Sequence, residues 1–357
     1  MPLSRKSLRL SAFVTALAVT LIAIACGGGK SGTGAVKLQG AGATFPNPLY
    51  QKWIHEYGNA HSNVQIDYQS IGSGGGIKQL QAQTVDFGAS DAPMTDDELK
   101  ASPAAVVHIP TVLGAVVVTY NLPGISNALR FSPEVVADIF LGKITKWNDT
   151  RIKADNPDAN LPATDISSVH RAESSGTTFV FTDYLSKVSA EWREKVGANK
   201  SPKWIGGIGG KGNEGVTGQV KQTPNTIGYV ELAYAVQNKL PVALIKNKAG
   251  NFIEPTIDAV TAAAAGAIAT TPDDLRVSIT NADGATAYPI SSYTYILAYQ
   301  DQKDATKGKA VVDFLWWGIH DGQRFAKDLQ YAPLPDEIVK RTEAKINSLA
   351  SGGKPLR

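Results

Sequence analysis

Residues 166–181 read Ile166-Ser167-Ser168-Val169-His170-Arg171-Ala172-Glu173-Ser174-Ser175-Gly176-Thr177-Thr178-Phe179-Val180-Phe181 and carry three signals in succession. Ile166 to Arg171 has the composition of a strand, Glu173 to Thr178 is a Ser/Thr/Gly turn, and Phe179, Val180 and Phe181 begin an apolar helical pattern. The same design occurs twice earlier in the chain. Val36-Lys37-Leu38 runs into Gly40-Ala41-Gly42-Ala43-Thr44-Phe45-Pro46, ahead of a helix with Leu49, Trp53, Ile54 and Tyr57 on one face. Val64-Gln65-Ile66-Asp67-Tyr68 leads to Gly72-Ser73-Gly74-Gly75-Gly76, after which a helix is expected to open at Ile77. The wider chain alternates short β-branched runs with longer helical patterns, which predicts an α/β fold on largely parallel sheets.

A helix start presents unpaired N–H groups backed by the positive end of the helix dipole, and such ends bind anions. Glycine lets the backbone come close to a small ligand, and Ser and Thr hydroxyls add donors. Each turn taken singly is also an ordinary strand-to-helix turn with an N-cap. Three of them with an arginine point to an anion site, because Arg171, at the end of its strand, can clamp a tetrahedral oxyanion in bidentate fashion. Asp91, in Asp86-Phe87-Gly88-Ala89-Ser90-Asp91-Ala92-Pro93, would repel an anion unless the anion brings a proton. Phosphate near neutral pH keeps at least one proton and sulfate has none, so an ionised Asp91 favours phosphate. Glu173 is expected to hold Arg171 in place.

The 357 residues, 43% hydrophobic and 19% charged, describe a globular chain. A single core stops growing at roughly 250–300 residues, so two lobes are expected. The net charge of +3 comes with no basic stripe, which excludes an electrostatic nucleic-acid binder. His55, His61, His108, His170 and His320 are scattered without metal-ligand spacing, and Ser175 has no evident base, so neither a metal nor a catalytic residue is assigned. His170, next to Arg171 in the strand, should point away from the site. Ser132, Pro133 and Gly142 frame a scaffold helix, and Phe314, Trp316 and Trp317 read as helix packing. Ala262 to Ala269 reads as a small-residue helix or loop.

Arg5, Lys6 and Arg9 precede an apolar run from Leu10 to Ala25, and Ala23-Ile24-Ala25 is a small-residue cleavage site, so residues 1–25 are read as a signal peptide. Cys26, the one cysteine, follows the cut where a lipobox places its modified residue, and is read as the lipidation site. Ala-Ile-Ala also suits the ordinary signal peptidase at the same bond. Residues 26–34 contain Gly27 to Gly34 (GGGKSGTG), a flexible tether by composition. They are no nucleotide loop, because the P-loop pattern would require glycine where Ile24 stands.

At the residues quoted above the sequence resembles the periplasmic phosphate-binding component of bacterial phosphate ABC transporters. The likeness covers essentially the whole mature chain: Gly40 to Pro46, Ile71 to Gly76 (IGSGGG), Val85 to Pro93 (VDFGASDAP), Leu141 to Asp149 (LGKITKWND) and Arg171 to Thr177 (RAESSGT). It continues through Gly212 to Val216 (GNEGV), Ile227 to Glu231 (IGYVE), Tyr288-Pro289-Ile290 and Gly352 to Leu356. The resemblance implies a two-lobe periplasmic binding protein fold of type II, with phosphate held in the interlobe cleft. Lobe 1 would be residues 35–112 plus 291–357, and lobe 2 residues 113–290. The implied ligand contacts are the Thr44 hydroxyl, the Phe45 backbone, Ser73, Asp91, Arg171, Ser175, Gly176 and Thr177. The implied partners are inorganic phosphate and the permease subunits of an ABC importer, with no cofactor. The implied protein is a monomer in the periplasm or lipid-anchored at the outer face of the cytoplasmic membrane. The sequence departs from the family twice: Glu173 stands where Asp is frequent, and Gly74 where a second Ser is frequent. The second change is expected only to loosen a turn. Carriers of other oxyanions would have no use for Asp91, and an adhesive lipoprotein would need no closed polar cleft.

Overall fold

One eight-stranded sheet organises the chain. From edge to edge its strands are Val64–Ser70, Val36–Gly42, Phe87–Ser90, Ser291–Tyr299, Val106–Asn121, Thr226–Glu231, Ser167–Arg171 and Ile208–Gly210. The computed structural model describes residues 35–125 and 127–357, so the signal segment 1–25, Cys26 and the tether 26–34 lie outside the described residues. Both ends of the sheet are parallel, as the alternating pattern predicts. Its centre is not: Ser291–Tyr299 pairs antiparallel with Phe87–Ser90 and with Val106–Asn121, which pairs antiparallel with Thr226–Glu231. The expectation of largely parallel sheets is corrected there, because Val106–Asn121 is one strand of 16 residues shared by both halves. Its first part, through Ala115, faces Ser291–Tyr299, and its second, from Val116, faces Thr226–Glu231. A largely apolar run suits a strand covered on both sides, and nearly every residue in it is buried.

Helices cover the sheet and set the turns against it. The helix Asn47–Ala60 buries Leu49, Trp53 and Tyr57, the face expected from their spacing. These residues pack on the helix Ala305–Ile319, where Phe314 meets Tyr57 edge-on at 5.2 Å between ring centroids and Trp317 meets Trp53 at 6.4 Å. The aromatic cluster near the C-terminus is therefore packing, as read from the sequence. Pro133–Phe140 is a helix after Ser132, and Gly142 beyond it has a φ of +70°. Ala262 to Ala269 splits between the end of the helix Ile257–Ala265 and the 3-10 turn Ile268–Thr270. Among the described residues no helix is long and apolar enough to cross a membrane.

Candidate functional site

The three turns converge. The second one departs from its expected boundary: the helix opens at Ser73 rather than Ile77, so Gly74, Gly75 and Gly76 form its first turn. Glycine is needed there for space, since a Cβ on Gly76 would lie 2.5 Å from the Ala41 carbonyl oxygen of the neighbouring strand. Gly74 corrects a second expectation. Its N–H donates to the Ser174 carbonyl at 3.1 Å, and a Cβ there would come within 2.4 Å of the Ser174 Cβ. The glycine permits this contact between the second and third turns, and a serine could enter only if Ser174 moved.

The third turn starts the helix Gly176–Val188, capped by Ser175, whose Oγ accepts from the Thr178 N–H at 3.0 Å. Gly176 lies so close to the second turn that a Cβ would sit 2.3 Å from Ser73 Oγ and 2.6 Å from Asp91 Oδ2. Ser73 Oγ in turn accepts from the Asp91 N–H at 3.3 Å. From the first turn, Thr44 Oγ1 accepts from Asn213 on the helix Gly212–Gln222, and the same amide donates to Thr177 Oγ1. The Phe45 carbonyl accepts from the Tyr331 hydroxyl at 2.7 Å and the Thr44 carbonyl from the Tyr234 hydroxyl at 2.6 Å. Every one of Thr44, Phe45, Ser73, Asp91, Arg171, Ser175 and Thr177 is at most 3% exposed, and Gly176 is buried with them.

Two charges face each other across this cluster. Arg171 ends its strand and directs Nε to Glu173 Oε1 at 2.9 Å, with Nη2 on the same oxygen. That oxygen also accepts from the Gly212 N–H at 3.1 Å. Arg171 Nη1 is buried without a protein partner, as are Asp91 Oδ2 and Glu173 Oε2. Asp91 Oδ1 accepts from the Thr294 hydroxyl at 2.8 Å. Burial pushes the Asp91 carboxyl up to about 7, against the opposing pull of the Thr294 hydroxyl, the Arg171 charge and the Thr177 hydroxyl. Near neutral pH it therefore exists in both protonation states. His170 turns the other way, stacked on Trp204 at 4.7 Å, as strand alternation requires.

Asn213, Thr294, Tyr229, Tyr234, Glu231 and Tyr331 were not singled out in the sequence as site residues. Tyr229 accepts from the Arg171 N–H at 3.2 Å and shares a hydrogen bond with Thr178, steadying the strand end and the turn together. The available signal was a polar residue in an apolar run, as for Thr294 within Ser291–Tyr299, all of it buried. Among the described residues no group of three or more His, Cys, Asp or Glu side chains is placed to hold a metal ion.

A sheet shared by two halves, with a buried site made of turns from both, is the arrangement of a solute-binding protein, and the sequence model of the PBP superfamily domain matches residues 29–316. A phosphate-binding protein PstS of Xylella fastidiosa (strain 9a5c) is 48% identical over 313 residues, covering 87% of this chain and 85% of its own. A phosphate-binding protein PstS of Pasteurella multocida (strain Pm70) is 46% identical over 327 residues, covering 91% and 94%. The chain belongs to the PstS family of phosphate-binding proteins. The fold is also that of a phosphate binding protein solved from Stenotrophomonas maltophilia, with a TM-score of 0.68 at 23% identity, covering 87% of this chain and 94% of that one.

Proposed function

We propose that this chain captures inorganic phosphate outside the cytoplasmic membrane and delivers it to the permease subunits of a phosphate ABC importer, without catalysing a reaction on it. The observation that carries the reading is the pairing of Arg171 Nη1, a buried donor with no protein partner, with Asp91 Oδ2, a buried acceptor with none. A ligand that satisfies both is an anion that also has a proton to give. Phosphate meets that description, and the names of the relatives agree with it.

In this reading Arg171, Ser73, Ser175 and the hydroxyls of Thr44 and Thr177 bind phosphate oxygens, joined by the backbone at Phe45 and by Gly176 and Thr177 at the helix start. Glu173 aligns the guanidinium. Asp91 accepts a hydrogen bond from the phosphate proton, so the dianion, which still carries one proton, is held by the ionised carboxylate. The chain divides into two lobes near residues 35–112 with 291–357 and 113–290. The strand register supports a crossing at that place, since Ala115 still faces Ser291 whereas Val116 faces Glu231. Ligand contacts drawn from both lobes favour the closed form by differential binding. Cys26 supplies a lipid anchor on its tether, and the protein acts as a monomer.

The test is a calorimetric phosphate titration of the mature protein and of R171A. Removing one partner of a desolvated charge pair costs about 3 kcal/mol, roughly a hundredfold in affinity. Unchanged affinity in R171A would remove the guanidinium from the site.

A further inference from the structure

Asn213, fully buried near the start of the helix Gly212–Gln222, makes hydrogen bonds whose directions follow from chemistry alone. The Glu231 backbone N–H, which can only donate, meets Asn213 Oδ1 at 2.9 Å and fixes which end of the amide is oxygen. The other end, Nδ2, has two hydrogens and accepts nothing. It donates to Thr44 Oγ1 at 2.8 Å and to Thr177 Oγ1 at 3.1 Å. The Asn213 backbone N–H donates to Thr44 Oγ1 as well, at 3.2 Å.

Thr44 Oγ1 therefore receives two hydrogen bonds, which occupy both of its lone pairs and leave the hydroxyl only the role of donor. Thr177 Oγ1 receives one, and its hydrogen must point away from Asn213. We propose that Asn213 is a positioning residue that locks the Thr44 hydroxyl as a donor and turns the hydrogen of the Thr177 hydroxyl away from the amide toward the ligand, so that both meet unprotonated oxygens of the bound anion and its proton is left to Asp91. The proposal rests on the phosphate reading above. It gives that reading a direction: Thr44 cannot accept the phosphate proton, and Asp91 Oδ2 is the acceptor that can. Asn213 also ties the turn after the first strand, through Thr44, to the helix that begins at Gly176, through Thr177. Its amide therefore makes both bonds only when these two parts of the sheet are drawn together.

A residue that merely supported the fold would weaken binding by the same factor whatever stood at 44 or 177. Phosphate affinity is measured by calorimetry for N213A, T44V, T177V and the doubles N213A/T44V and N213A/T177V, with the melting temperature of each recorded. N213A is expected to lose about thirtyfold in affinity in the parent, and at least threefold less than that when either valine is already present. Equal loss in all three backgrounds would overturn the proposal. Absence of phosphate binding to the parent would instead overturn the functional reading. Should N213A fail to fold, a neutron structure of the parent with phosphate decides the matter. Deuterium on Thr44 Oγ1 and Thr177 Oγ1 should point to ligand oxygens, and deuterium from either hydroxyl directed at Asn213 refutes it.

Discussion

Asp91→Asn should make the phosphate-free protein more stable, and increasingly so as pH rises. The Asp91 carboxyl is 1% exposed, and burial moves it from 3.8 to about 7. The folded state thus holds this proton to higher pH than the unfolded chain. The associated stability is complete below pH 3.8, declines as pH rises through about 7, and stays lost above it. A shift of that size corresponds to about 4 kcal/mol. With an unfolding entropy of about 2.1 cal/mol/K per residue, that is about 6 °C in melting temperature for a chain of this length. The amide has no such proton, and its oxygen can keep the hydrogen bond from Thr294. The assay is differential scanning calorimetry of parent and variant without phosphate, in matched buffers from pH 4 to pH 8.5. The gap between the two midpoints should widen in favour of the variant by about 6 °C and level off above pH 7. A gap that is constant with pH would show that Asp91 titrates normally in the fold, and the reasoning from its burial would fail.

Gly176→Ala places a Cβ within 2.6 Å of Asp91 Oδ2 and 2.3 Å of Ser73 Oγ, so phosphate affinity should fall about tenfold or more with the fold retained. An alanine variant with the parent's affinity would mean that the turn is not at the ligand. Cys26→Ser should move the protein from the membrane fraction to the soluble envelope fraction, and unchanged membrane association would rule out the lipid anchor. Phosphate should lower the radius of gyration measured by X-ray scattering on the mature protein, whereas superimposable profiles with and without it would count against closure of two lobes.

Much of the site was legible in the sequence because its chemistry is local. Gly, Ser and Thr between a strand and a helix can be read without knowing what they meet, and Arg171 and Asp91 are conspicuous charges beside such turns. What the sequence could not supply depends on distant parts of the chain. Asn213 is 169 residues from Thr44, and Thr294 is 203 residues from Asp91. The antiparallel centre of the sheet was missed for a related reason. Alternation of strand and helix patterns predicts parallel pairing, but Ser291–Tyr299 returns to the middle of the sheet late in the chain, and no local pattern announces its partner. Glu231 is a further case: a carboxyl held well above its usual range by complete burial, where it caps the helix Leu232–Gln237 by accepting from the Ala233 N–H at 2.8 Å. In the sequence it was simply the end of an apolar run.

The most direct test of the account is competition between phosphate and sulfate in the parent and in D91N from pH 6 to pH 9. Both anions are tetrahedral and similar in size, and Arg171, the hydroxyls and the helix starts welcome either. Sulfate brings no proton, so it can be accepted only when Asp91 carries one, and Asp91 gives up its proton at about 7. Parent affinity for sulfate should therefore fall about tenfold for each pH unit above 7, while phosphate, which brings its own proton, keeps its hold. In D91N the slope for sulfate should vanish and sulfate should gain at pH 8.5, with some loss for phosphate. A phosphate-to-sulfate preference that is the same in both proteins across this range would contradict Asp91 as the discriminating acceptor.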